Sequence, residues 1–149
     1  MGKQFIETQK FKQWWVWLFL LVLLAIPVYN FVFVGFSEGL MTIPIFLFVI
    51  LFYLFKLSTQ IDEKEIKVVF FPVIGKTIPW KEIKSVKLFD YGFVGGWGIR
   101  FWTKHGTVYN IRGSKGLLLE FLDGKTIVVG TQKEEELKFF LKDIGKISE

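Results

Sequence analysis

Two long uncharged runs near the amino terminus constrain this chain more than any other feature. Residues 13–37 contain no charged side chain, Glu38 follows, and residues 39–55 are again uncharged. A helix rises about 1.5 Å per residue, so about 20 apolar residues cross the hydrocarbon core of a bilayer. The first run is long enough, and the second reaches the short end of that range with Lys56 snorkelling to the surface. The runs predict two transmembrane helices, at about 14–36 and 39–56, within an N-terminal region 1–57.

Three other structures for this region fit the sequence less well. A cleavable signal peptide ends in small residues, whereas the first run continues through Tyr29-Asn30-Phe31. A buried core hairpin or an in-plane amphipathic helix needs a polar face at helical period, and neither run has one. Lysines flank both outer ends of the runs, and the connecting turn has no positive charge, so the positive-inside rule predicts that both termini are cytoplasmic.

The remaining residues, 58–149, change to the short apolar runs and turns of a β domain. Runs typical of strands are found at 57–61, 66–71, 83–89, 98–103, 108–112, 117–122 and 125–129. Asp123-Gly124 is the strongest hairpin signal among the turns. This spacing predicts a sandwich or barrel of antiparallel strands.

The carboxy-terminal segment changes to a helical period. Thr131 and Glu134 have the spacing of a capping box, and Leu137, Phe140, Leu141 and Ile144 form one apolar stripe. We therefore expect a helix at 132–145 that packs on the β domain.

The segment "GGWGIRFW", residues 95–102, is the most unusual stretch of the β domain. Gly95, Gly96 and Gly98 suit a loop of positive φ followed by a bulge or a strongly coiled strand. Strand alternation would place Trp97, Ile99 and Phe101 in the core, with Arg100 and Trp102 facing outward. A structural corner and a binding surface both fit this pattern.

Four residues are weak candidates for a binding site: Arg100, Trp102, Tyr109 and Arg112. The two arginines are symmetric about residue 106, so a tight hairpin would bring them together on adjacent strands. Two arginines with aromatic neighbours could hold a carboxylate or a lipid phosphate. Ordinary salt bridges to Glu120 or Asp90 are the alternative.

Signals for catalysis and for cofactors are weak. Gly-Lys-Thr occurs at residues 75–77 and 124–126 without the upstream glycine of a phosphate-binding loop. His105 is the single histidine, and there is no cysteine, so a typical zinc site is not expected. We read His105 as an exposed turn residue. The sequence predicts no catalytic residue, no metal and no cofactor. Nucleic-acid binding is disfavoured, because the basic residues after residue 57 are interspersed with acids.

The segments "IPWKEIKSV", "GGWGIR", "VYNIRG", "LEFLDGK" and "VGTQKEEEL", together with the apolar hairpin, resemble bacterial membrane-anchored pleckstrin-homology-like (PH-like) proteins. The resemblance implies a strongly bent split barrel whose terminal helix plugs one end, on a multi-pass anchor in the bacterial cytoplasmic membrane. We expect a non-enzymatic module that binds a protein partner or anionic lipid headgroups. A structural or oligomeric membrane component, or an undetected enzyme, are the alternatives, and the oligomeric state stays open.

Overall fold

The structure, a computed structural model, describes residues 3–93 and 96–147, with every side chain except that of Glu38. The chain divides into two compact units. One unit is Phe11–Phe55, and the other combines Met1–Lys10 with Lys56–Glu149. The first unit is helical, and the second contains the β-strands and the carboxy-terminal helix.

The helical unit contains three α-helices. Helix α1 spans Trp14–Tyr29 and continues as a π-helical segment, Asn30–Val34, which ends at Gly35 with a φ of 152°. Helices α2 and α3 span Phe36–Met41 and Ile43–Leu54.

One continuous helix, Trp14–Val34, is long and apolar enough to cross a membrane, with a mean hydropathy of 2.4. Only 17% of its most apolar window is buried, so it does not have the environment of a core helix in a soluble protein. The prediction of an apolar spanning helix near the amino terminus is confirmed for this segment by length and composition.

The second predicted span is not a helix of spanning length. Among the described residues, the other apolar helical stretch, Gly39–Leu54, falls short of the length of the first. Thr42 lies between α2 and α3, and its hydroxyl donates to the carbonyl of Gly39 at 2.6 Å. Lys56, which was expected to extend the second helix, is instead the first residue of a strand.

The β unit contains two sheets. The first consists of β1 (Gln4–Lys10), β2 (Lys56–Asp62), β3 (Glu65–Phe71) and β4 (Ile74–Pro79), in that order. The second consists of β5 (Ile83–Asp90), β6 (Gly98–Thr103), β7 (Gly106–Asn110), β8 (Lys115–Phe121) and β9 (Thr126–Gly130), in the order β5-β8-β9-β7-β6. The chain is thus mostly β-sheet, as expected, and its described strands form two separate sheets.

Strand β1 is the main departure from the predicted organisation, which assigned residues 1–57 to a tail and a hairpin. It pairs antiparallel with β2 from Gln4↔Asp62 to Lys10↔Lys56. The helical unit is therefore inserted between two neighbouring strands of one sheet. Strand β4 is likewise absent from the predicted strands.

The second sheet contains a parallel pair, whereas only antiparallel strands were expected. β7 pairs parallel with β9, from Thr107↔Ile127 to Tyr109↔Val129. Strand β5 pairs directly with β8, so the β6–β7 hairpin, which lies between them in sequence, is placed beyond β9. Strand β6 is consequently an edge strand.

Both faces of the second sheet carry apolar contacts. Leu117, Leu119 and Ile127 are buried on one face. On the other face, Tyr91 packs with Val108 and Val128 in a small second core, which explains the uninterrupted apolar run of β9.

Helix α4 spans Glu134–Asp143, within the predicted range, and packs on the β unit. Leu137 and Leu141 are buried, and the ring of Phe140 lies 6.1 Å from that of Phe5 on β1. The predicted apolar stripe is therefore confirmed.

The predicted capping box is wrong, because Thr131 binds elsewhere. Its hydroxyl donates to the buried Glu7 carboxylate on β1 at 2.6 Å and accepts from the backbone N–H of Lys133 at 3.0 Å. The same carboxylate accepts from the N–H of Gln132 at 2.8 Å. Gln9, two residues along β1, donates to the carbonyl of Gly130 at 2.7 Å. These polar contacts fix β1 against the segment that leads into α4.

We predict that Thr131→Val lowers the free energy of unfolding by about 1–3 kcal/mol, because a buried carboxylate loses a hydroxyl donor. Thr8→Val is the matched control, since Thr8 lies on the exposed face of β1, the strand that carries Glu7. Denaturant titration in detergent, followed by tryptophan fluorescence, measures both. Equal effects of the two substitutions would show that the Glu7 contacts do not fix β1.

Candidate functional site

The β6–β7 hairpin contains a β-bulge, which is seen in the pairing of its residues. Arg100 pairs with Val108 and Thr103 with Gly106, so Phe101 and Trp102 on β6 stand opposite the single residue Thr107. Bulges of this kind bend a strand and redirect its side chains, and they are common beside functional sites.

The bulge holds Trp102 in a conformation that bulky residues rarely adopt. Its φ is 55°, and among the described residues no other non-glycine residue has a positive φ. The left-handed region costs an L-residue about 1–2 kcal/mol. Trp102 is nevertheless 97% exposed, so packing does not compensate for this strain. Such strain at a surface residue is typical of a functional position.

Trp102 belongs to a group of exposed aromatic residues on the edge strand and the loop before it. Phe101 is 55% exposed and Phe93 is 83% exposed, and the Phe101 and Trp102 rings lie 6.1 Å apart. Trp97 is also exposed. We call these four residues the aromatic edge. The expectation that Trp97 and Phe101 lie in the core is wrong, because both side chains are exposed.

Trp102 also lines a cleft of 680 Å³, together with Lys76, Phe121, Lys125 and Thr126. The Nζ of Lys76 lies 5.1 Å from the centre of the Phe121 ring, and that of Lys125 lies 2.7 Å from the Asp123 carboxylate. Lys76 and Lys125, one from each Gly-Lys-Thr segment of the sequence, therefore line the same cleft. Glu82 and Asp123 line it as well, so its charge is mixed rather than suited to a phosphate.

The predicted arginine pair does not form. Arg100 stands opposite Val108, so the hairpin is not symmetric about residue 106. Arg112 lies beyond the end of β7, exposed beside a separate polar cleft with Ser114 and Lys115. Among residues 3–93 and 96–147, neither arginine forms an ion pair. Their predicted partner Glu120 is bound to Lys84 instead, at 2.9 Å.

Arg100 is half-buried rather than outward-facing. A Cβ at Gly96 would lie 2.2 Å from a guanidinium nitrogen of Arg100, so a side chain there would displace the end of the Arg100 side chain. The φ of 133° at Gly96 also favours glycine, whereas Gly95 lies outside the described residues. Arg100 thus supports the loop before β6.

Tyr109 and His105 are packed inside the β unit. Tyr109 is buried, and burial raises the pKa of its hydroxyl. His105, expected to be an exposed turn residue, is half-buried, and its ring lies 5.0 Å from that of Phe89 in an edge-to-face contact. Of the four predicted site residues, Trp102 alone belongs to the aromatic edge.

Sequence analysis did not assign five residues of this region to a candidate site: Phe93, Trp97, Phe101, Lys76 and Lys125. The signal available for the first three was their density within ten positions, and of these Trp97 and Phe101 were predicted to lie in the core. A comparison with models of known protein families finds no match for this chain, and neither does a comparison with curated proteins.

We predict that Trp102→Gly is more stable than Trp102→Ala by about 1 kcal/mol, because only glycine adopts a positive φ without strain. Phe101 provides the control, since its φ is not positive. At position 101 the glycine variant should be less stable than the alanine variant. Thermal unfolding of the four variants checks this, and a lower stability of Trp102→Gly than of Trp102→Ala would contradict the strained bulge.

Proposed function

We propose that this chain is a non-enzymatic, membrane-anchored interaction module that binds a protein partner through the aromatic edge. The observation that carries the proposal is the exposure of Trp102 on a strained backbone. A conformation that costs stability and contributes no packing is retained where the side chain has a role outside the fold.

The proposed anchor is the apolar unit, Phe11–Phe55. Its first helix has spanning length and largely exposed apolar side chains. We propose that α2 and α3 complete a hairpin, so that the chain crosses the membrane twice and both termini face the cytoplasm of a bacterial cell. The lysines at 10, 12 and 56, with none between the apolar runs, support this orientation. We also propose that the β unit is a PH-like domain, on the motifs that resemble that family.

A protein partner fits the aromatic edge better than a lipid headgroup does. Tryptophan and phenylalanine supply large contact areas at protein interfaces, and tryptophan is enriched among the residues that dominate binding energy. Edge strand β6 can also accept hydrogen bonds from an added strand. The adjoining cleft has mixed charge, which gives an anionic headgroup little advantage. The aromatic edge itself has no nucleophile or acid–base group, which supports a binding role.

Photo-crosslinking in native membranes tests this function. A photoreactive phenylalanine analogue at position 101 should form an adduct with another protein, and Trp102→Ala should reduce its yield by ~tenfold or more, as expected for a residue that dominates an interface. Phe139→Ala is the control, because Phe139 is an exposed aromatic residue on α4.

Each outcome of the crosslinking has a distinct meaning. Adducts with lipid alone would favour headgroup binding over a protein partner, and adducts with a second copy of the chain would favour the oligomeric alternative. An adduct whose yield is equally insensitive to Trp102→Ala and Phe139→Ala would overturn the proposed role of the aromatic edge.

A further inference from the structure

One end of the first sheet carries both connections to the apolar unit. The chain leaves β1 at Lys10 and enters β2 at Lys56, and these two residues are paired. Lys56 is in turn paired with Phe71, the last residue of β3. The β3–β4 turn, residues 71–74, therefore lies at the same end of the sheet as the two connections.

This turn is apolar and exposed. Val73 is 62% exposed, Phe71 is 42% exposed and Ile74 is 41% exposed, and Pro72 completes the segment "FPVI". Turns are usually formed by glycine, proline, asparagine, aspartate and serine, and only Pro72 in this segment belongs to that group. An exposed apolar cluster of this kind indicates contact with another surface.

The opposite end of the same strands has the usual composition. The β2–β3 turn contains Asp62, Glu63 and Lys64, and the Asp62 carboxylate accepts hydrogen bonds from the N–H groups of Lys64 and Glu65. The sheet is therefore polar at the end that is remote from the connections and apolar at the end that bears them. This gradient is what a sheet resting on a bilayer requires.

The two connections to the apolar unit are short. Residues 11–13 separate β1 from α1, and Phe55 alone separates α3 from β2. Three extended residues span at most about 10 Å. If the apolar unit lies in a bilayer, this end of the sheet is held at the interface.

Two lysines at this end suit the headgroup region. The Nζ of Lys56 lies 5.3 Å from the centre of the Phe71 ring, in a cation–π contact. Within the described ranges, neither Lys10 nor Lys56 pairs with a carboxylate, so both charges can bind lipid phosphates. Exposed apolar residues next to lysines are the arrangement of an interfacial anchor.

We infer that the Phe71–Ile74 turn inserts into the interfacial region of the bilayer and fixes the orientation of the β unit on the membrane. The inference rests on the proposed membrane anchor, and it adds a second contact made by the β unit itself.

Site-specific fluorescence tests the insertion, since the chain has no cysteine and one added cysteine gives a unique label. The full chain with Val73→Cys, labelled with an environment-sensitive dye, is reconstituted in vesicles of phosphatidylcholine and phosphatidylglycerol. Ile74→Cys is a second position if the first variant folds poorly. Glu63→Cys, on the polar turn, is the control, and Leu21→Cys, on α1, reports the anchor.

Lipids spin-labelled near the headgroup should quench the dye at position 73 at least about twofold more strongly than at position 63, because the turn reaches the edge of the hydrocarbon core. The emission at position 73 should also shift to the blue. Equal quenching at 73 and 63, with strong quenching of a label at 21 by deeper spin labels, would overturn the insertion and leave the anchor intact. A label at 21 that no lipid quenches would overturn the anchor and the insertion together.

Discussion

The pairing of β1 with β2 is the constraint on which the rest of the structure depends. These strands form an antiparallel pair whose connection is the whole apolar unit, Phe11–Phe55. Because Lys10 and Lys56 are partners in the ladder, the two ends of the insert must lie close together. Closing a long loop costs little more conformational entropy than closing a shorter one, because this cost rises slowly with loop length. A small chain can therefore hold a long insertion between two paired strands.

Strand β1 lies at the edge of its sheet, and polar contacts hold it there. Its inward face alternates Phe5, Glu7 and Gln9, all buried. Thr131 and Gln132 satisfy the Glu7 carboxylate, so the first strand of the chain is tied to the segment before the last helix. A satisfied buried network of this kind specifies one position for a strand that has few apolar residues of its own.

The two sheets have different tasks in this arrangement. The first sheet carries the connections and the apolar turn, and we propose that it faces the membrane. The second sheet carries apolar contacts on both faces, and the bulge at Phe101 and Trp102 on its edge strand β6 is exposed. Membrane contact and partner contact are thus assigned to different strands.

Local patterns in the sequence predicted the elements that repeat a simple period. The long apolar helix Trp14–Val34, α4 and most of the strands followed from uninterrupted apolar runs, a helical stripe and alternation. Strand β1 was missed because two of its three inward residues, Glu7 and Gln9, are polar. Strand β4 was missed because Pro72 and Gly75 resemble a turn.

The parallel pairing of β7 with β9 joins segments that are distant in sequence, and a single chain gives no signal for it. The arginines do not pair because the β6–β7 turn lies at residues 104–105 and is not centred on residue 106. The exposure of Phe101 and Trp102 accompanies a bulge that alternation does not anticipate. The PH-like resemblance stays a prediction.

The arrangement is tested most directly by replacing residues 11–55 with an Asn-Gly turn, which would join the paired Lys10 and Lys56 as a two-residue hairpin. Partition between membranes and supernatant after a carbonate wash is then measured for the full and the shortened chain. The full chain should stay with the membranes, and the shortened chain should be soluble and unfold cooperatively. Release of the full chain by carbonate, or a shortened chain that cannot fold, would contradict a β unit closed across an inserted membrane anchor.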